Sequence, residues 1–232
     1  MATITDPALY RLVSWLSPSF PVGAYAYSHG LEFAVEDGLV VDEASLSQWV
    51  DAVITHGSGR NDAIFFHSAW RAVDEDEPAA LIEAIVQADL HRGTAEMALE
   101  NSAQGMAFVE TVEASWITPE FTHWIAVLKE TARPAPYAIA VAVAAATAGI
   151  PLRPALIVYL QAFSASLISA GMRLIPLGQT AGQRAQAALA QTVITAVAAA
   201  LDRSLDDIGY AAPLIDWLSA KHETQHTRLF RS

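Results

Sequence analysis

His222-Glu223-Thr224-Gln225-His226 matches H-E-x-x-H, the sharpest short chemical pattern in the chain. On a helix the two imidazoles would share one face, and the glutamate between them would serve as base to a zinc-bound water. A catalytic zinc needs a third protein ligand, and six residues follow His226. The segment is also polar and terminal. It reads as an exposed, loosely held tail rather than a helix lining a cleft. A weak divalent-cation site on His222 and His226 stays open beside that reading, as does a zinc-dependent hydrolase using all three residues.

Ala26-Tyr27-Ser28-His29-Gly30 is a relaxed form of the nucleophile elbow, with alanine at the first glycine. That motif needs a strand before it and a helix after it. A proline-containing loop precedes it here, so Tyr25, Tyr27 and Phe33 read instead as packing or contact aromatics. No phosphate-binding G-x-x-x-x-G-K-[ST] occurs, and Lys129 and Lys221 are the only lysines. Gly57-Ser58-Gly59 reads as a turn. The chain has seven histidines and no cysteine, which excludes disulfides, thiolate metal sites and thiol nucleophiles. With no catalytic constellation assembled, a binding or scaffold protein is favoured over an enzyme.

The elements that must position these residues read as helices. The chain has 232 residues, 53% hydrophobic and 16% charged. That composition is ample for a core and excludes disorder. Alanine abounds and alternating β-branched runs are scarce, so the expected class is all-α, a compact domain of about eight to ten helices. Proline and cap signals place helices over 6–15, 27–36, 43–56, 61–73, 79–91, 94–115, 119–131, 135–148, 152–170 and 179–202. Asp6, Asp42 and Thr118 are the expected N-caps. Ser17-Pro18-Ser19-Phe20-Pro21-Val22-Gly23 is an expected rigid loop. The expected division is a helical domain over 1–205 and a C-terminal partner-docking tail over 206–232. Few core contacts are expected to cross into that tail.

The net charge of −12 argues against binding nucleic acid or an anionic membrane. Residues 1–116 carry 18 acids and 4 bases, a balance of −14, whereas residues 117–232 carry 7 acids and 9 bases, a balance of +2. Such asymmetry points to two faces with different partners. No secretory signal is visible, and the apolar runs 137–150 and 155–170 read as buried helices of a cytoplasmic protein.

Three longer blocks carry a resemblance. Residues 17–32, from Ser17-Pro18 to Leu31-Glu32, resemble the N-terminal signature of the UreF family of urease accessory proteins. Gly171-Met172-Arg173-Leu174-Ile175-Pro176-Leu177-Gly178-Gln179-Thr180-Ala181-Gly182-Gln183 resembles a second family block, and His222 to Ser232 a third. The family's tail often has tyrosine where this chain has His226. The resemblance implies an all-α homodimer that is not an enzyme and holds no tightly bound cofactor. It implies binding to a UreD/UreH-type protein and a UreG-type GTPase, with nickel handled by the complex for apo-urease. The expected contact residues are Tyr25, Tyr27, Ser28, Gly30 and Glu32; Gly171, Arg173, Pro176, Gly178, Gln179 and Gln183; and Arg228, Leu229 and Phe230. Gly171, Gly178 and Gly182 are expected to permit unusual backbone or the close approach of another chain, and Arg173 and Arg184 to fork onto carboxylates. The alternative that needs no urease at all is a generic helical adaptor.

Overall fold

A computed structural model describes residues 3–209 and 211–231; Met1, Ala2, Tyr210 and Ser232, the last residue of the third block, lie outside them. The described residues form helices and loops with no strand. In chain order the helices are α1 (Asp6–Trp15), α2 (Leu31–Glu36), α3 (Glu43–Thr55), α4 (Ser58–Asp74), α5 (Pro78–Leu90), α6 (Ala95–Ser115), α7 (Pro119–Glu130), α8 (Tyr137–Thr147), α9 (Leu152–Leu174), α10 (Gln179–Ala188), α11 (Ala190–Leu201) and α12 (Pro213–His222). Short 3₁₀ turns lie at Ala24–Ala26 and Leu205–Asp207.

The centre is α8, whose run from Ala138 to Ala145 is buried on every side. A helix apolar all round has no solvent face, so it must be enclosed. α4 and α6 pack along it, α7 and α9 complete the shell, and α5 packs outside against α4 and α7. Alanines at 138, 140, 142, 144 and 145 let these axes approach closely. Gly105 on α6 takes this furthest, since a Cβ there would sit 1.8 Å from the Ala135 carbonyl oxygen. By length and apolarity α9 and the α10–α11 run would each suit a bilayer, but α9 packs against α2, α3, α4, α8, α10 and α11.

Local chemistry sets most boundaries. The Asp42 carboxylate accepts from Ser45 N–H at 2.8 Å, and the Thr118 hydroxyl accepts from Phe121 N–H at 3.2 Å. At α1 the capping position is Thr5, and Asp6 is the first helical residue. Several expected bounds move. α2 begins at Leu31, not at 27, because His29 and Gly30 adopt φ of 58° and 75° and break the helix. α4 begins at Ser58, so Ser58 and Gly59 belong to its first turn. α9 runs through Gly171 to Leu174. The 179–202 run is interrupted at Leu189, whose side chain is buried.

The glycines of the second block face this chain's own helices. A Cβ at Gly171 would meet Leu46 Cδ1 of α3 at 2.5 Å, and one at Gly182 would meet Met172 Sδ at 2.2 Å. Gly178 has ordinary extended backbone, φ −77°, with open space around it. Substituting Gly105→Ala forces a side chain onto backbone and is expected to lower the unfolding free energy by about 3 kcal/mol. Gly178→Ala is expected to change it by less than about 0.5 kcal/mol. Urea unfolding of both variants checks the contrast.

Candidate functional site

The three blocks, the first of them more than a hundred residues of sequence from the other two, meet at one place. Its centre is the carboxylate of Glu32 on the second residue of α2, buried along with Ser28, His29 and Gly30. Glu32 Oε2 lies 3.0 Å from His222 Nε2 and accepts from Phe230 N–H at 2.9 Å. Glu32 Oε1 accepts from Leu229 N–H at 2.6 Å. A carboxylate withdrawn from water is stable only when donors replace the lost hydration. Here those donors all come from the C-terminal segment.

His222 is fully buried at the end of α12. Its Nδ1 lies 2.6 Å from Oε2 of Glu96, in the first turn of α6, and Arg228 reaches Oε1 of the same carboxylate at 2.7 Å. Phe230 is buried, with the Arg173 guanidinium 4.2 Å above its ring. Arg173 also donates to the Tyr25 carbonyl at 2.7 Å, and burial pulls its pKa below the ordinary value. Arg231 N–H donates to the Ala26 carbonyl at 2.7 Å. α12 seats against the left-handed corner before α2: a Cβ at Gly30 would fall 2.9 Å from Ser219 N. The Ser219 hydroxyl meets that of Thr94, the N-cap of α6, at 2.8 Å.

This geometry corrects the reading of the last residues as an exposed tail. His222 and Phe230 are core positions, and α12 packs on α2 and α6. It also dismantles the H-E-x-x-H arrangement. α12 ends at His222, so exposed His226 does not share its face. Both ring nitrogens of His222 face carboxylates, and the Glu223 carboxylate accepts from Ala95 N–H at 3.0 Å, capping α6. No group of three metal-ligating side chains occurs among the described residues. Ser28 is no elbow nucleophile either. Its buried hydroxyl accepts from Glu32 N–H at 3.3 Å, and no strand precedes it among the described residues.

The remaining candidates divide by exposure. Tyr27 and Gly171 are buried, whereas Tyr25 is 77% and Leu229 62% exposed. Pro176, Gly178, Gln179 and Gln183 are exposed at the α9–α10 corner. Arg173 joins Tyr25 through its carbonyl and Phe230 through its ring, and Leu229 precedes Phe230 on the strap that buried Glu32 holds. Arg184 does fork onto a carboxylate, that of Glu43, with Nε at 3.0 and 3.1 Å from its two oxygens. Arg173 instead takes a carbonyl and a ring.

A second polar cluster lies deeper. His29 Nδ1 meets Glu100 Oε2 at 2.9 Å, and its Nε2 meets the Ser58 hydroxyl at 2.8 Å. Gln104 donates to Glu100 Oε1 at 3.0 Å, and Arg92 pairs with Asp62 at 2.9 Å. Burial alone would depress the His29 pKa, but the Glu100 carboxylate, helped by Asp62, outweighs it and raises the value. A cleft of about 390 Å³ opens between the 17–25 loop and α9, and its floor includes Glu100, Gln104, Tyr137 and Tyr159. Burial raises the pKa of both floor tyrosines.

Glu96, Glu100, Ser58 and Arg231 were not among the residues expected from sequence. The one available signal was spacing: Glu96, Glu100 and Gln104 recur every four residues, a polar stripe on a helix that otherwise buries Met97, Phe108 and Val112.

The UreF family model matches residues 40–190. A urease accessory protein UreF of Granulibacter bethesdensis is 50% identical over 227 residues, covering 98% of this chain and 95% of the relative. UreF proteins of Rhodopseudomonas palustris strain HaA2 and Magnetococcus marinus are 45% and 43% identical over 225 and 232 residues. They cover 97% and 98% of this chain and 94% and 99% of those relatives. The chain belongs to the UreF family. The relatives are named as urease accessory proteins, so this is a family of accessory proteins and not of enzymes. The family-model match spans the second block, while Glu32 and His222 fall outside it.

Two outcomes test this geometry. Glu32→Ala leaves His222 and two backbone N–H groups without their acceptor, and is expected to cost about 3 kcal/mol in urea unfolding, as for breaking a buried ion pair. His29 has a raised folded pKa, so its stabilisation is full below about pH 6.5, the ordinary histidine value, and is lost as pH rises through the folded value. Unfolding free energy is therefore expected to fall between pH 7 and 9 less steeply in His29→Gln than in the unsubstituted chain.

Proposed function

We propose that this chain is a non-catalytic scaffold of urease maturation. In this reading it bridges a UreD/UreH-type protein and a UreG-type GTPase so that nickel reaches apo-urease. It works as a homodimer in the cytoplasm, and nickel is carried by the assembly rather than by a resident cofactor of this chain. The relatives' names support the urease role. The observation that carries the scaffold reading is the convergence of three distant segments into one surface around Tyr25, Arg173 and Leu229, held from behind by Glu32.

The physical fit is that of a preorganised docking site. Proline-bordered loop 17–23 and the anchored C-terminal segment have little freedom left to lose on association. Tyr25 and Leu229 supply exposed apolar contact, and Arg173 a planar cation beside them. The tail's contribution to a UreD-type partner then falls on Leu229 and Arg228, while Phe230 acts as the internal anchor that presents them. Pro176, Gly178, Gln179 and Gln183 extend the exposed α9–α10 corner and remain contact candidates there.

Co-purification with the UreD-type and UreG-type proteins, followed by light scattering on a sizing column, tests this. A dimer that grows into a complex containing all three is expected. A Tyr25→Ala/Leu229→Ala double variant is expected to weaken capture at least tenfold while its urea unfolding curve stays unchanged, since central contact residues commonly cost more than about 1 kcal/mol each. Undiminished capture would remove this surface from the interface. Failure of the unsubstituted chain to bind either protein would favour a helical adaptor outside urease assembly.

A further inference from the structure

The cleft between loop 17–25 and α9 is walled by aromatic rings and floored by a carboxylate. Its volume of about 390 Å³ falls in the range of small-ligand pockets, about 300–1,000 Å³. Phe20, Tyr25, Tyr27, Tyr137, Tyr159 and Phe163 all line it. The rings of Tyr137 and Tyr159 lie side by side on the floor, 5.8 Å between centroids and tilted by 48°. Burial raises the pKa of both phenols, which keeps them neutral. Among the described residues Glu100 is the only acidic side chain in the lining, and no lysine, arginine or histidine joins it.

The positive groups nearby lie behind this lining. Glu100, Gln104, Tyr137, Tyr159 and Phe163 also border a hollow of about 20 Å³ further in, which His29, Asp62 and Arg92 reach. Arg92 is paired there with Asp62 at 2.9 Å, and His29 meets Glu100 at 2.9 Å. What the cleft itself presents is ring faces, an amide and a carboxylate. The face of an aromatic ring carries the negative part of its quadrupole and attracts cations. A carboxylate beside such faces adds a full negative charge in a partly desolvated site. The chain already seats two guanidinium groups on neighbouring rings: Arg173 is 4.2 Å above Phe230, and Arg231 is 6.0 Å from the centre of Tyr27. Neither arginine lines the cleft.

We infer that the cleft receives an arginine side chain presented by a partner protein, with the guanidinium stacked among the rings and directed at Glu100. A guanidinium suits the site better than an ammonium, because it is planar, weakly hydrated, stacks on rings and forks onto carboxylates. Delivery on a protein fits the position of the mouth. Tyr25, 77% exposed, belongs both to the cleft and to the docking surface described above, and exposed Ser19 and Ser169 also line the cleft. The half of the chain that supplies loop 17–25 and Glu100, residues 1–116, has 4 bases against 18 acids, a balance of −14. Such a field steers a basic partner towards this side. The identity of the partner rests on the scaffold reading; the chemistry of the cleft is a property of this chain alone.

Two measurements test the inference. The first titrates the full chain, without partners, with N-butylguanidinium and with its neutral isostere N-butylurea, and follows the backbone amides of Tyr159 and Phe163 by NMR. It is made at pH 8.5, where His29, whose pKa is raised by Glu100, competes less for that carboxylate than at neutrality. The cation is expected to bind at least fivefold more tightly than the urea. Glu100→Gln is expected to abolish that preference. Because Glu100 also holds His29, a second variant, Ala165→Phe, fills the cleft from its α9 wall and leaves the carboxylate in place. It is expected to lose binding of both probes with an unchanged urea midpoint. Equal binding of cation and urea to the unsubstituted chain, or undiminished cation binding by Ala165→Phe, would overturn the inference. The second measurement is capture of the UreD-type and UreG-type proteins by Ala165→Phe, expected to weaken at least tenfold for one of them. Undiminished capture of both would remove the cleft from the interface and overturn the partner's arginine as its occupant. Capture of neither protein by the unsubstituted chain would instead contradict the scaffold reading, and the cation-to-urea ratio would still decide the chemistry of the cleft.

Discussion

A carboxylate removed from water must be given its hydrogen bonds by the protein, and at Glu32 that requirement organises the molecule's functional end. The donors are His222, Leu229 and Phe230, nearly two hundred residues away. Satisfying one side chain therefore closes the chain on itself, draws α12 onto α2 and α6, and lays the last residues across the loop that carries Tyr25. A hydrophobic contact would have allowed many registers. Charge-assisted hydrogen bonds to defined atoms allow few.

Backbone geometry makes room for this closure. His29 and Gly30 turn left-handed just before α2, which aims Glu32 inward and strips the corner of side-chain bulk where Ser219 arrives. The rest of the fold serves as a rigid mount. α8 is sealed inside alanine-lined contacts, Gly105 lets α6 lie against the α7–α8 connection, and α6 then delivers Glu96 to the surface cluster and Glu100 to the deeper one. The same helix thus ties the C-terminal segment to the floor of the cleft beside loop 17–25.

Much of this was legible in advance, in proportion to how local the cause was. Asp42 and Thr118 caps, the proline starts and the apolar rhythm of α3 are properties of neighbouring residues, and the all-α class followed from abundant alanine and the scarcity of alternating β-branched runs. The three blocks were legible as a likeness to UreF, and the full-length relatives agree. Their convergence was not, because nothing in 17–32 specifies what lies beside 222–231. The final segment is polar by composition, so it read as solvated. Its polarity is in fact complementary to buried Glu32 and half-buried Glu96, and composition does not distinguish a side chain facing water from one facing a partner within the protein. The glycines of the second block misled for a related reason: Gly171 and Gly182 do admit close approach, but of this chain's own Leu46 and Met172.

The central claim is that one buried carboxylate holds three segments as a unit. Comparing amide exchange in the unsubstituted chain and in Glu32→Gln at a single neutral pH tests it most directly. The account predicts that residues 24–31, the C-terminal turn of α9 around Arg173, and residues 222–231 lose protection together, while α4 and α8 are unchanged. Loss confined to α2, with the C-terminal segment still protected, would contradict it.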